Sequence, residues 1–226
     1  MAKKKAVVAK TQVKSGSYLT GAPPQMRPQI VVFLLESMSP LLQNNPACME
    51  KKDEEPEEPV KKGTKKKTKS SLSSSVKDYD DVHEAKIRAY LIDGVYCHPA
   101  ESVTKAMIKA VPRMKFGKLT ATSALKGSVF LTEDFAVIED RKGKPIKEYD
   151  IDKRSVVIKS TGGRVNRCRP VWPEWQLKVP LEIDTAILPP EYVLDALQLA
   201  GRTVGIGDFR PEKSGRFGRF TASILR

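Results

Sequence analysis

The sequence predicts an α+β fold, with two helices set among short strands in the order β-α-β-β-α-β. Three observations carry this. Short apolar runs recur at 29–36, 129–131, 176–184 and 218–225, with the length and composition of strands. Two stretches, 100–111 and 190–200, space apolar residues at helical intervals. Gly, Pro and Asp-Gly signals punctuate the chain between them.

The first strand, 29–36, is continuously apolar and rich in β-branched residues, the pattern of a central strand covered on both faces. Residues 37–46 carry two prolines and read as a loop. Residues 84–91 alternate roughly, with Ala85, Ile87 and Ala89 against Lys86, Arg88 and Tyr90, so a strand is expected. Asp93-Gly94 then marks a tight turn into 95–98. Pro99-Ala-Glu-Ser102 opens a helix whose stripe is Val103, Ala106, Met107, Ala110 and Val111, with Pro112 at its end. A second short helix is expected over 119–125, closed by Gly127. Residues 133–172 form a long, basic β-rich excursion with turns at Asp140–Gly143 and 161–163. The chain returns through 176–184, which alternates about Pro180; a strand holding proline is expected at an edge or a kink. Pro189-Pro190 suits a helix start, and Val193, Leu194, Leu197 and Ala200 give its stripe. Gly201 is the expected C-cap. Residues 218–225 make the last strand. The order is ferredoxin-like.

Two segments fall outside this scheme. Residues 1–27 read as a basic flexible arm. Residues 50–77 place an acidic block before a lysine block and a serine run, with little to bury, so disorder is expected.

The chain has 226 residues and a formal net charge of +13. Such an excess favours phosphate polymers or anionic surfaces as partners. The three cysteines, Cys48, Cys97 and Cys168, are far apart and form no C-x-x-C pair. Buried thiols in a reducing cytoplasm are expected, not a zinc site or disulfides. No cofactor or metal is expected. The longest apolar run, Ile30 to Leu35, is too short to span a bilayer.

The chemistry concentrates in 201–220. Gly205, Gly207 and Gly215 let backbone approach a ligand, and amides in such turns line anion sites. Arg210, Lys213, Arg216 and Arg219 supply cations, with Phe209, Phe217 and Phe220 between them. Guanidinium forks pair with phosphate, and bases stack on aromatic rings. For Phe220, inside a strand, a core position is preferred. No Gly-x-x-x-x-Gly-Lys-Ser/Thr is present, and the glycines follow a helix rather than precede one, so nucleotide loops are excluded. A second basic cluster is Arg164, Arg167 and Arg169 with Trp172; Arg167 and Arg169 would share a strand face. Trp172 reads equally as a stacking ring or a core residue, and Trp175 as core. A third is Lys105, Lys109 and Arg113, spaced four apart. This row is a binding face only if it lies beside the glycine-rich loop; otherwise it is a solvated face.

With a glycine-rich loop between the second helix and the fourth strand, the chain resembles the RAMP superfamily of RNA-binding proteins. It looks most like the backbone subunit of CRISPR effector complexes. The resemblance implies one domain over 28–226, in which the loop and the helix start at Ser102 contact RNA and 128–175 reaches over the strand like a thumb. It implies assembly with further copies or subunits along the nucleic acid. Subunits that cut target RNA carry an Asp after the first strand. Residues 37–47 hold no Asp or Glu, so the resemblance implies no target cleavage. RAMP nucleases that process guide RNA often use a His; here His83 and His98 are the candidates, neither with a catalytic companion in sequence. Residues 204–220 also resemble the tails of bacteriophage proteins. The expected function is non-catalytic binding of single-stranded RNA through its phosphates, within a ribonucleoprotein complex. The alternatives are a phage-type single-stranded-DNA-binding or annealing protein, a ribonuclease, and an assembly protein with acidic partners.

Overall fold

A computed structural model describes residues 27–46, 80–112, 114–116, 119–157 and 164–225. The arm at 1–27 and the charged segment at 50–77 therefore lie, but for Arg27, outside the described residues, as do Cys48 and Arg113.

The strands are β1 (Pro28–Ser37), β2 (Leu41–Leu42), β3 (Tyr90–Ile92), β4 (Val95–Pro99), β5 (Lys115–Phe116), β6 (Leu119–Thr120), β7 (Val129–Leu131), β8 (Phe135–Glu139), β9 (Asp150–Val157), β10 (Arg164–Trp172), β11 (Gln176–Asp184) and β12 (Phe220–Ile224). The helices are α1 (Asp81–Ile87), α2 (Glu101–Ala110), α3 (Ala121–Ser128) and α4 (Pro190–Thr203). The main sheet runs β12-β1-β11-β8-β4-β3, and β7 also pairs with β11. β7 and β8 lie end to end along β11 and act as one interrupted strand. The central order β12, β1, β11, then β7 with β8 is that of a ferredoxin-like sheet, antiparallel at each pairing. The α+β class and the β-α-β-β-α-β order stand. Helices α2 and α4 pack on each other. A smaller sheet, β2-β10-β9, carries the excursion, whereas β7 and β8 belong to the main sheet.

Alternation along β1 decides what is covered. Val31, Phe33 and Leu35 are buried and lie opposite Leu181, Val179 and Leu177 of β11. Val32 and Leu34 are only half-buried, so β1 is a central strand with one fully covered face, not two. Pro180 sits in the middle of the sheet. It is tolerated because it falls between the β11 residues paired with β8 (Gln176 and Leu177) and those paired with β7 (Leu181 to Ile183), where one side lacks a strand partner.

Three local expectations change. Residues 81–87 are a helix, not a strand: the Asp80 carboxylate accepts from the Val82 and His83 amides, and Glu84 pairs with Arg88 at 2.8 Å. An N-cap and an i,i+4 pair decide an ambiguous pattern. Gly127 lies inside α3, which runs on to Ser128. Gly201 lies inside α4 rather than capping it. A β-carbon there would lie 2.0 Å from the Phe220 carbonyl oxygen, so glycine lets α4 press onto β12. The Asp93-Gly94 turn forms as expected, with both residues at positive φ.

Candidate nucleic-acid interface

The glycine-rich loop begins where α4 ends. At Gly205, φ +71° reverses the chain, and its amide donates to Ala200 O. The loop is then fastened from several sides. Ile206 donates to Gly218 O, Asp208 to Leu42 O, Phe217 to Phe209 O and Gly218 to Pro40 O, at 2.8–3.1 Å. A β-carbon on Gly215 would lie 1.6 Å from Phe209 O, and one on Gly218 would lie 1.7 Å from Ile206 O. These glycines admit the protein's own backbone rather than a ligand. The expected amide nest is corrected accordingly: the amides of Gly205, Gly215 and Gly218 donate to Ala200, Arg210 and Pro40. Gly207 also admits backbone, a β-carbon there lying 2.5 Å from Leu42 O, but its amide makes no hydrogen bond among the described residues and it lines a cavity.

That cavity, about 360 Å³, lies between α2 and the loop. Ser102, Lys105 and Lys109 form one wall; Gly205, Gly207 and Arg210 form the other; Gln43 and His98 lie at its base. The lysine row thus does sit beside the glycine-rich loop. Its cations have carboxylate partners. Lys105 pairs with Glu101 at 2.6 Å, Lys109 with Glu212 at 2.7 Å, and Arg210 with Glu212 at 2.7 Å. Hydrogen bonds from Lys109, and then Arg210, hold the Glu212 carboxyl below its ordinary range. Arg210 also donates to Gly207 O at 3.0 Å, so its guanidinium braces the loop. The Lys105–Glu101 pair is well exposed on both sides, and such pairs hold weakly enough to exchange for phosphate.

The second cluster divides. Arg169 is 2 % exposed and pairs with Asp208 at 2.7 Å and Asp152 at 3.5 Å. Trp172 is buried, its ring 5.7 Å from Tyr96 and 5.8 Å from Tyr149. Neither presents a surface to a nucleic acid. This corrects their assignment to the interface: two acids distant in sequence draw Arg169 inward, and two tyrosines enclose Trp172. Trp175 is also buried, and its indole nitrogen donates to Ser39 O. Arg167 remains half-buried on β10, and Arg164 is that strand's first residue. Arg169 does contribute indirectly, because its bond to Asp208 ties β10 to the glycine-rich loop.

The loop's tip is more open. Lys213 and Arg216 are exposed, with the Arg216 guanidinium 5.4 Å from the Phe217 ring. Arg219 is half-buried, and its amide donates to Ser39 Oγ. Phe217 and Phe220 belong to the interior. Phe209 alone of the three phenylalanines is exposed; it adopts φ +50° and lies beside the guanidiniums of Arg154 (5.9 Å) and Arg169 (5.5 Å).

Sequence reasoning singled out neither Gln43, Asp208 nor Arg154, and weighed His98 only as a catalyst. His83 is exposed on α1 and takes no part in the cavity. Cys97 and Cys168 are buried. Burial first, then the hydrogen bond to Asp81, pushes the Cys168 thiol up to about 12. Among the described residues, no helix is long and apolar enough to cross a membrane.

No protein-family model matches the chain, and no curated protein matches it. Among solved structures, the chain is similar to that of Cmr6 from Pyrococcus furiosus: TM-score 0.42, 11 % identity, covering 88 % of this chain and 100 % of that one.

Proposed function

We propose that this chain is a non-catalytic binder of single-stranded RNA, a RAMP-type subunit of a cytoplasmic ribonucleoprotein complex, and that RNA phosphates follow the groove between α2 and the glycine-rich loop. One observation carries the reading: Ser102, Lys105 and Lys109 line the same cavity as Gly205, Gly207 and Arg210, about a hundred residues further along the chain. The net charge of +13 supplies the long-range attraction. In the groove, Lys105 and Lys109 exchange their carboxylate partners for phosphate, while Lys213 and Arg216 extend the cationic track past the loop tip. Phe209 offers a ring edge for a base. Arg210 acts by holding the loop's shape. The ferredoxin-like order, with the loop between the second helix and the last strand, supports the superfamily.

The absence of catalysis is part of the proposal. Burial lowers the His98 imidazole from 6.5 to about 3, so at neutral pH there is no imidazolium to act as an acid, and the neutral ring is too weakly basic to act well as a general base. The test is purification without nuclease, followed by absorbance at 260 and 280 nm. A co-purifying nucleic acid that RNase removes and DNase leaves is expected. A clean protein that binds no oligoribonucleotide at low salt contradicts the reading.

A further inference from the structure

His98, near the end of β4, is 3 % exposed and lies at the base of the cavity. Its tautomer is fixed by its neighbours. Gln43 Oε1 accepts from the Tyr90 amide at 3.1 Å, so the amide nitrogen must face the other way. There Gln43 Nε2 donates to Cys97 O at 2.7 Å and lies 3.1 Å from His98 Nδ1. An amide nitrogen can only donate. Nδ1 is therefore the acceptor, and the ring proton sits on Nε2. That Nε2–H has no partner among the described residues. Ser102 Oγ, on the first turn of α2, is likewise buried without a partner and lines the same cavity. Buried polar groups in native proteins are nearly always hydrogen-bonded, so two unmet groups on one cavity point to a ligand.

The lining charges say what kind of ligand. Lys105 pairs with Glu101, Lys109 and Arg210 share Glu212, and Asp208 is held by Arg169. The exposed Lys105 and Lys109 side chains on the wall can meet phosphate, but the buried pair of His98 and Ser102 offers it no cation. That pair suits a hydroxyl group, which needs one donor and one acceptor. The base of the cavity offers a rigid N–H donor and a serine oxygen that both donates and accepts. About 360 Å³ falls within the range of small-ligand pockets.

We propose that the cavity takes a ribose, that His98 Nε2–H and Ser102 Oγ bond its 2′-hydroxyl, and that the chain thereby selects RNA over DNA. Gln43 is the positioning residue that sets the imidazole tautomer. The proposal rests on the reading of the groove as an RNA interface. The 2′-hydroxyl is the group by which proteins distinguish the two sugars.

The experiment compares fluorescence anisotropy of a labelled single-stranded oligoribonucleotide, its deoxyribose counterpart and its 2′-O-methyl form, at one salt concentration. Wild-type protein is expected to prefer the ribose strand by about tenfold, the worth of a hydrogen-bonded buried hydroxyl. His98→Leu should remove most of that preference, and His98→Gln, which returns an amide N–H near the same place, should restore part of it. Ser102→Ala loses no internal hydrogen bond, so the fold should stand; it is expected to reduce the preference severalfold. Competition by adenosine 5′-monophosphate, with little by its 2′-deoxy form, would support the ribose site and show that a free nucleotide also fills it. Equal wild-type affinity for ribose and deoxyribose strands would overturn the ribose pocket and leave the groove as a polyanion site. So would a His98→Leu protein that weakens both strands alike. Binding of neither strand would overturn the RNA interface itself.

Discussion

Arg169 on β10 and Lys105 on α2 each sit against carboxylates, yet the Arg169 side chain is 2 % exposed and that of Lys105 is 62 % exposed. The first holds Asp208 and Asp152 together behind the glycine-rich loop; the second lies on the open rim of the cavity beside Glu101. Removing a buried cation strands its acids, whereas removing an exposed one costs little. One side of the molecule therefore uses basic residues to build the loop, and the other leaves them available to a ligand.

The largest expected effect breaks the buried side. Arg169→Ala should lower unfolding free energy by about 3 kcal/mol, read as a fall in the denaturant midpoint. An unchanged midpoint would mean that Arg169 is no more structural than Lys105. Gly215→Ala should come next. Its β-carbon would meet Phe209 O, so the loop must open, at a cost of about 2 kcal/mol and with loss of oligonucleotide binding. A fully active, stable Gly215→Ala protein would show that the loop is slack. Lys105→Ala should move stability by less than about 0.5 kcal/mol while weakening RNA binding severalfold in anisotropy. If it also costs stability, the contrast between the two cations is false.

Acidity sharpens the same contrast at the cavity base. The folded protein leaves His98 unprotonated down to about 3, against an ordinary value of 6.5. Between those values the unfolded chain binds the extra proton, so stability falls as pH falls. This group contributes up to about 1.4 kcal/mol per pH unit. Denaturant midpoints from pH 6.5 to 5, above the range where carboxylates titrate, should show that slope in wild type and lose it in His98→Gln.

Some of this was legible from local pattern alone. The β1 run, the Asp93-Gly94 turn and the Pro190 helix start all follow from short-range signals, whereas the lysine row on α2 was open between a solvated face and a binding face until the fold set Lys105 and Lys109 beside the loop. What was not legible depends on residues distant in sequence. Arg169 is drawn inward by Asp152 and Asp208, 17 and 39 residues away. His98 takes its tautomer from Gln43, 55 residues earlier. Glycine carries a further ambiguity. The same residue permits approach by a phosphate or by the chain itself, and only the positions of Phe209, Ile206 and Phe220 show that Gly215, Gly218 and Gly201 serve the chain.

The most direct test of the groove is the salt dependence of single-stranded RNA binding, measured for wild type and for the Lys213→Ala/Arg216→Ala double variant. Phosphate neutralisation predicts a steep linear fall of log affinity with log salt in wild type. In the variant the slope should be shallower by roughly 0.7 for each phosphate that Lys213 or Arg216 neutralises. A wild-type affinity that ignores salt, or a double variant with an unchanged slope, would contradict the account.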